Sequence, residues 1–207
     1  MTLRLLMFGR TGQLAREVLR RAGDGIAVTA LDRDAADLGD PARCADLIAR
    51  AGADVVLNAA AFTAVDLAEA EEARALRINA EAPGAMAQAA AARGLPFLHI
   101  SSDYVFDGTS PRPWREDDPV APLNAYGRTK LAGERAVAAA GGPHVILRTA
   151  WVHAGHGRNF VASMLRAGAA QPRLRVVADQ HGGPTPAGAL AGAALAIARA
   201  FAAGCGV

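Results

Sequence analysis

Cysteine is scarce in this chain, and its placement excludes more than its number. The 207 residues hold only Cys44 and Cys205, far apart and in no metal or redox spacing. A disulfide framework is excluded, and two reduced, inert thiols are the expectation. Histidine adds no metal pattern. His99 alternates with apolar neighbours as a satisfied core histidine would, while His144, His153, His156 and His181 share no ligand spacing. An excess of one charge is also lacking: 22 Lys and Arg face 20 Asp and Glu, with no basic block and no aromatic-basic interleaving. Nucleic acid is therefore not an expected partner. No apolar run has the makings of a membrane span. The stretch 187–203 contains Arg199 and many Ala and Gly, so it reads as a packed helix and no membrane is expected. Met1-Thr-Leu-Arg leads directly into a strand, so no signal peptide is expected and the expected location is the cytoplasm. Internal repeats are absent.

What is present is apolar mass in an alternating pattern. At 52% hydrophobic, the chain can bury one large core. The pattern predicts strands near 3–8, 26–31, 54–58, 95–101, 143–149 and 174–178. It predicts helices near 12–22, 41–51, 70–93, 123–140, 159–168 and 186–203. Such alternation implies an α/β fold, a doubly wound parallel sheet with right-handed crossovers. Pro83 should bend or divide the long Ala-rich helix. Residues 107–122 hold Gly108, four prolines and Trp114, a loop long enough to be functional by length. A flap over a site and a plain surface excursion both remain open for it.

Four segments carry chemistry. Leu3 to Phe8 reads as a buried strand, then Gly9-Arg-Thr-Gly12-Gln-Leu-Ala15 opens a helix. This is the context a dinucleotide fingerprint needs. Gly9 permits the tight turn, Gly12 lets the backbone approach a pyrophosphate, and the helix N-terminus supplies amide donors. Asp32 ends the second strand 20 residues beyond Gly12, where an acid would bind an adenosine ribose. A strand-turn-helix without ligand would show the same glycines. Val55 to Asn58 ends in Ala59, Ala60 and Ala61, small enough for a flat cofactor to lie on. Phe97 to Ile100 ends in Ser101 and Ser102, at a carboxyl strand end where binding groups gather. Ser101 reads as a loop cap and Ser102 as a carbonyl donor. Finally, Tyr126 and Lys130 stand at i and i+4, on one helix face. A cation there should pull a phenol pKa of ~10 downward and make it a proton donor. Alone the spacing is weak, since an exposed helix with a half-buried tyrosine also satisfies it.

Together these segments resemble the extended short-chain dehydrogenase/reductases, and most closely the dTDP-4-dehydrorhamnose reductase family. The match includes Gly9-Arg-Thr-Gly-Gln-Leu, Asn58-Ala-Ala-Ala-Phe-Thr-Ala-Val-Asp66, Ser102-Asp-Tyr-Val-Phe-Asp-Gly108, Pro122 to Glu134, Arg148-Thr-Ala-Trp-Val152, Asn159-Phe160 and Asp179-Gln-His-Gly-Gly-Pro-Thr185. The resemblance implies Ser102, Tyr126 and Lys130 as the catalytic set. It implies cofactor contacts at Gly9, Arg10, Thr11, Gly12, Gln13, Leu14, Asp32, Arg33, Asp37, Leu38, Ala59, Ala60, Ala61 and Thr63, with Tyr126 and Lys130. Substrate contacts fall on Val65, Asp103, Tyr104 and Trp151, and Asn79 is structural. The implied activity is hydride transfer to C4 of dTDP-4-dehydro-L-rhamnose, in nucleotide-sugar synthesis for cell-surface polysaccharide. Asp32 suits NADH, while Arg10 and Arg33 suit a 2′-phosphate. The expectation is NADPH with NADH usable.

The chain departs from the family in places. Ser102 stands where a Thr is usual, which keeps the hydroxyl. Ala150 and His153 replace a Ser and a Tyr near the sugar-nucleotide side. Ala187 lies where the family's magnesium site has a Glu, so magnesium is not carried over. The family also runs on past the position of Gly204-Cys-Gly-Val207. The expectation is one Rossmann-like domain over 1–207 with the C-terminal substrate-binding portion largely missing. Such a chain should bind cofactor well and dTDP-sugar poorly. Two coverings of that face stay open, a longer full-length chain or a second chain as in a homodimer. A second resemblance stays open. The segments at Ser101 and Tyr126 are also similar to the regulatory subunit of methionine adenosyltransferase, which keeps the fold without catalysis.

Overall fold

The computed structural model describes residues 2–204, so Cys205 and the two residues after it lie outside the described residues. Five strands form one parallel sheet: β1 (Leu3–Phe8), β2 (Ile26–Leu31), β3 (Val55–Asn58), β4 (Phe97–Ser102) and β5 (His144–Thr149). Their order is β2-β1-β3-β4-β5, so the chain reverses direction across the sheet between β1 and β3. At that switch the end of β1 is bonded on both sides. Gly9 N–H donates to Leu31 at 2.8 Å, and Phe8 accepts from Ala59 N–H at 2.9 Å.

The continuous apolar runs are explained by burial on both faces. Along β1, Leu6 and Phe8 face one core while Leu3, Leu5 and Met7 face the other. The first core lies under α2 (Pro41–Arg50), α5 (Ala82–Ala92) and α6 (Ala125–Ala139). The second lies under α1 (Gln13–Arg21) and α8 (Ala187–Ala202). Phe8 and Phe97 are essentially fully buried, each worth roughly 1.5–3 kcal/mol relative to exposure.

The expected helix over 70–93 is broken into pieces. α3 (Val65–Ala70) and α4 (Glu72–Leu76) meet at Glu71, and a π-helical turn runs from Arg77 to Glu81 before α5. Pro83 stands in the first turn of α5 and offers no N–H to the turn before it, so the chain widens there. The expected strand at 174–178 is absent. These residues pair with no strand among those described, and Val176 and Val177 are exposed. In its place β6 (Val152–His153) pairs in parallel with β7 (Thr185–Pro186). Between them α7 (Phe160–Ala170) has no buried residue.

Candidate active site

The glycine turn after β1 forms the base of a cleft of about 430 Å³ at the switch point. Gly9 has φ +103°, and a Cβ there would approach the Ala59 backbone to 3.2 Å. Gly12 caps α1 with no side-chain bond, so the first amides of the helix are left for a ligand. The cleft unites Gly9 to Gly12, Asp32, Arg33, Asp37, Leu38, Ala59 to Ala61 and Thr63. These residues fit a dinucleotide: an anion cradle, an acid at the tip of β2 and a floor of small side chains.

Gln13 and Leu14 are placed elsewhere. Leu14 faces the core under α1. Gln13 bridges to the segment after β5, donating to Val152 at 3.2 Å and accepting from Asn159 at 2.8 Å. Leu31, Ala36 and Ile78 also line the cleft and were not singled out in the sequence. Ile78 belongs to the π-helical turn, whose contribution no local spacing signals.

Ser102, Tyr126 and Lys130 lie at the ends of β4 and α6. Asn124 caps α6 by accepting from Gly127 N–H at 2.8 Å, and Glu69 accepts from Ala125 N–H at 2.7 Å. Gly127 lets the helix touch the short 3₁₀ turn Asp103–Val105, since a Cβ there would run into the Tyr104 carbonyl oxygen. Tyr126 packs edge-to-face on Tyr104, with centroids 5.5 Å apart. Lys130 is buried, and its ammonium nitrogen bonds the Ile100 carbonyl oxygen at 2.8 Å.

Two expectations are corrected at this point. The hydroxyl of Ser102, not Ser101, makes the cap: it accepts from Tyr104 N–H at 3.2 Å and donates to Asp103 at 3.3 Å. Ser101 is buried with no hydroxyl partner among the described residues. Second, the Tyr126 phenol is not pulled down. Burial pushes it up to about 12, and the neighbouring Ser102 hydroxyl draws it only partly back. Lys130 instead yields to burial itself and falls to about 8. Burial likewise raises Asp103 and Tyr104.

His99 is a satisfied core histidine as expected, with both ring nitrogens partnered. Asn79 proves structural too. Its amide accepts from Phe62 N–H at 2.9 Å and donates to the Phe62 carbonyl at 3.1 Å. That clamp holds the loop that carries Ala59 to Thr63.

Of the substrate candidates, Asp103 and Tyr104 lie beside Tyr126, and Val65 opens α3, which packs on α6. Trp151 follows β5 with φ +45°, an uncommon backbone for a bulky residue. It is 44% exposed and lies against Gly182. The loop 107–122 docks by its own contacts. Phe106 stacks on Trp114 at 4.6 Å, and the Arg148 guanidinium sits over Phe106 at 4.9 Å.

The family model described as the RmlD substrate binding domain matches residues 3–205. The chain belongs to that family. A dTDP-4-dehydrorhamnose reductase of Burkholderia thailandensis is 46% identical over 200 residues, 96% of this chain and 67% of that protein. A crystal structure of a dTDP-4-dehydrorhamnose reductase from Clostridium acetobutylicum superimposes with a TM-score of 0.92 at 38% identity, covering 97% of this chain and 71% of that one. One from Bacillus anthracis, in complex with NADP, gives 0.93 at 31%, covering 97% and 72%. The chain spans about two thirds of the length of the curated relatives it matches.

Proposed function

We propose that this family member reduces the C4 carbonyl of dTDP-4-dehydro-L-rhamnose to give dTDP-L-rhamnose. The observation that supports the reading is that Ser102 and Tyr126 are neighbours at the ends of β4 and α6, with Lys130 one helical turn on, in the sheet whose switch point holds a cleft that fits a dinucleotide. Gly9 to Gly12 would hold the pyrophosphate, Asp32 and Arg33 the adenosine ribose, Ala59 to Ala61 and Thr63 the face of the cofactor, and Tyr126 with Lys130 the nicotinamide ribose. A reduced nicotinamide cofactor, when bound, supplies the hydride.

The chain's own residues manage charge and protons. Burial that raises the phenol keeps Tyr126 protonated at neutral pH, the form a proton donor must have. It gives that proton to the carbonyl oxygen as negative charge develops there. The Ser102 hydroxyl donates to the same oxygen and shares the charge. Asp103, Tyr104, Val65 and Trp151 shape the sugar-nucleotide side.

NADPH is the preferred cofactor in this reading, with NADH usable. The Asp32 carboxylate is engaged by the Ala35 N–H at 3.1 Å. Arg33 is 67% exposed and only loosely paired with Asp37 at 3.9 Å, so it is able to turn to a 2′-phosphate. The non-catalytic subunit reading is set aside, because relatives at 43–46% identity are named as reductases. Steady-state kinetics with dTDP-4-dehydro-L-rhamnose and each cofactor test both points. Sugar-dependent oxidation of NADPH is expected. Cofactor binding without any turnover, beside a tightly co-purifying enzyme, overturns the reductase reading, and a large preference for NADH overturns the cofactor choice.

A further inference from the structure

Lys130 is the only lysine in the chain; all other basic side chains counted with it are arginine. Its nitrogen has two close partners, the Ile100 carbonyl oxygen at 2.8 Å and Nε2 of His99 at 3.4 Å. His99 is fully buried and stacks on Phe97. A neutral imidazole has one donor and one acceptor nitrogen, and the partner of one fixes the other.

That partner is Asn58, the register neighbour of His99 across β3 and β4. Its side-chain nitrogen lies 3.2 Å from Nδ1. The amide is not free to flip. The Ala60 backbone N–H can only donate, and it bonds Asn58 Oδ1 at 3.2 Å. Asn58 therefore turns its NH₂ group to His99. Nδ1 must accept, so the imidazole proton sits on Nε2 and points at Lys130. An ammonium has donors only, and two facing N–H groups repel. A neutral amine satisfies every contact: it donates to Ile100 and accepts from His99.

We propose that Asn58 and His99 are positioning residues for Lys130, fixing the Nε2–H tautomer and so favouring the neutral amine over the ammonium in the cofactor-free protein. The surrounding ionisable groups do not reverse this. Glu134, one turn on, favours the ammonium, but both its oxygens are taken by Arg148 of β5 at 2.9 and 2.7 Å. Tyr126, one turn back, is held as the neutral phenol, and Asp103 acts on Tyr126. α5, packed on α6 from the other side, carries no ionisable side chain. From α3 and α4, Glu69 and Glu72 engage Arg128 at the surface. Burial works in the same direction as the hydrogen bonds.

The consequence for turnover rests on the reductase reading. Each reduction takes one proton from Tyr126, and the phenolate must regain one. Lys130 lies one turn along α6 from Tyr126, so the Asn58–His99 pair helps to set the pH range over which that turn carries a positive charge.

The single lysine makes the test direct. Protein labelled with ¹³C,¹⁵N-lysine gives one side-chain signal to titrate without cofactor, and ¹⁵N-histidine reads the His99 tautomer. The expected result is an Nε2–H imidazole, with Lys130 titrating well below the ordinary ~10.4. Asn58→Asp keeps the acceptor for Ala60 and places an acceptor against Nδ1. It should flip the tautomer and raise the lysine midpoint by about one unit or more, a tenfold change. An Nδ1–H imidazole in the wild type overturns the proposal, as does an ordinary lysine midpoint. So does an Asn58→Asp midpoint that rises with the tautomer unchanged, since that is charge acting alone. If Asn58→Asp does not fold, the wild-type tautomer and titration decide. Failure of the protein to reduce the dTDP-sugar, with these spectra as expected, removes the proposed function and leaves this inference standing.

Discussion

The two sides of this site are built differently. Around the cleft and Tyr126, Asn58, His99 and Lys130 are each no more than 1% exposed, and their side-chain nitrogens have fixed partners. At the side formed by residues 144–186, β5 is partly exposed along its length and α7 buries nothing. Phe160 is 63% exposed and Leu165 72%. The groups proposed to move a proton are held by a packed core, where position costs no reorganisation. Trp151, the one sugar-nucleotide candidate on that segment, stands on half-exposed chain, the kind that opens first in local unfolding.

The comparison breaks most sharply at Tyr126. Tyr126→Phe removes the proposed proton donor and leaves the ring that packs on Tyr104. A loss of roughly 10²–10⁴-fold in kcat is expected, with cofactor affinity nearly unchanged. A variant that keeps more than about a tenth of wild-type kcat sinks the assignment.

Lys130→Met should lose turnover and gain stability. The folded protein holds Lys130 near 8 against an ordinary value near 10.5. Between those values the unfolded chain binds the extra proton, so wild-type stability rises with pH across that window. The charge penalty present below pH 8 is worth at most about 3 kcal/mol. Cys44 and Tyr126 are both raised by burial and act the opposite way at higher pH, but they are common to both proteins. Denaturant melts from pH 7 to 10 should therefore show the variant ahead at pH 7 and the gap closing by pH 10. A constant gap means that Lys130 is not buried as a strained charge.

Why the sequence served one side better follows from the same contrast. β1 runs over the expected residues because its apolar run is buried on both faces. The glycine turn and Asp32 fall in the cleft because strand, turn and helix are contiguous in the chain. The segment 174–178 looked like a strand by composition alone, and it pairs with none among the described residues. The direction of the Tyr126 shift was misread because i, i+4 spacing says nothing of how deeply a pair is buried. Asn58 and His99 meet across 41 residues of sequence, which no local pattern reveals.

A pair of substitutions tests whether the two sides are separable. Gly9→Ala forces a side chain into φ +103° against the Ala59 backbone. A cost of 1–3 kcal/mol at such positions predicts a weakening of NADPH binding of roughly tenfold or more, with dTDP binding retained. Trp151→Ala should do the reverse, raising KM for the dTDP-sugar by roughly tenfold, as loss of a contact aromatic does. Calorimetry with NADPH and with dTDP reads both. Equal losses for both ligands in either variant would mean one coupled site.

The smallest effect is expected in the loop 107–122, and it decides which side that loop serves. Arg112 grips Asp118 through two bonds at 2.8 and 2.6 Å, and the Arg115 N–H adds a third at 2.7 Å. These bonds hold the Asp118 carboxyl down at about 2. The clamp is therefore complete above pH 4 and is lost only as pH falls towards 2. Arg112 is 54% exposed, and exposed pairs contribute little to global stability. Arg112→Ala should leave the fold and the NADPH affinity intact. If the loop is a flap on the sugar-nucleotide side, loosening it raises KM for the dTDP-sugar by roughly two- to fivefold, the scale of an exposed ion pair. The loop's position supports that outcome: Trp114 stacks on Phe106, immediately after the turn that carries Asp103 and Tyr104. An unchanged KM at neutral pH would make the loop a surface excursion, and the half-exposed side of the site would then end at Tyr104 and Trp151.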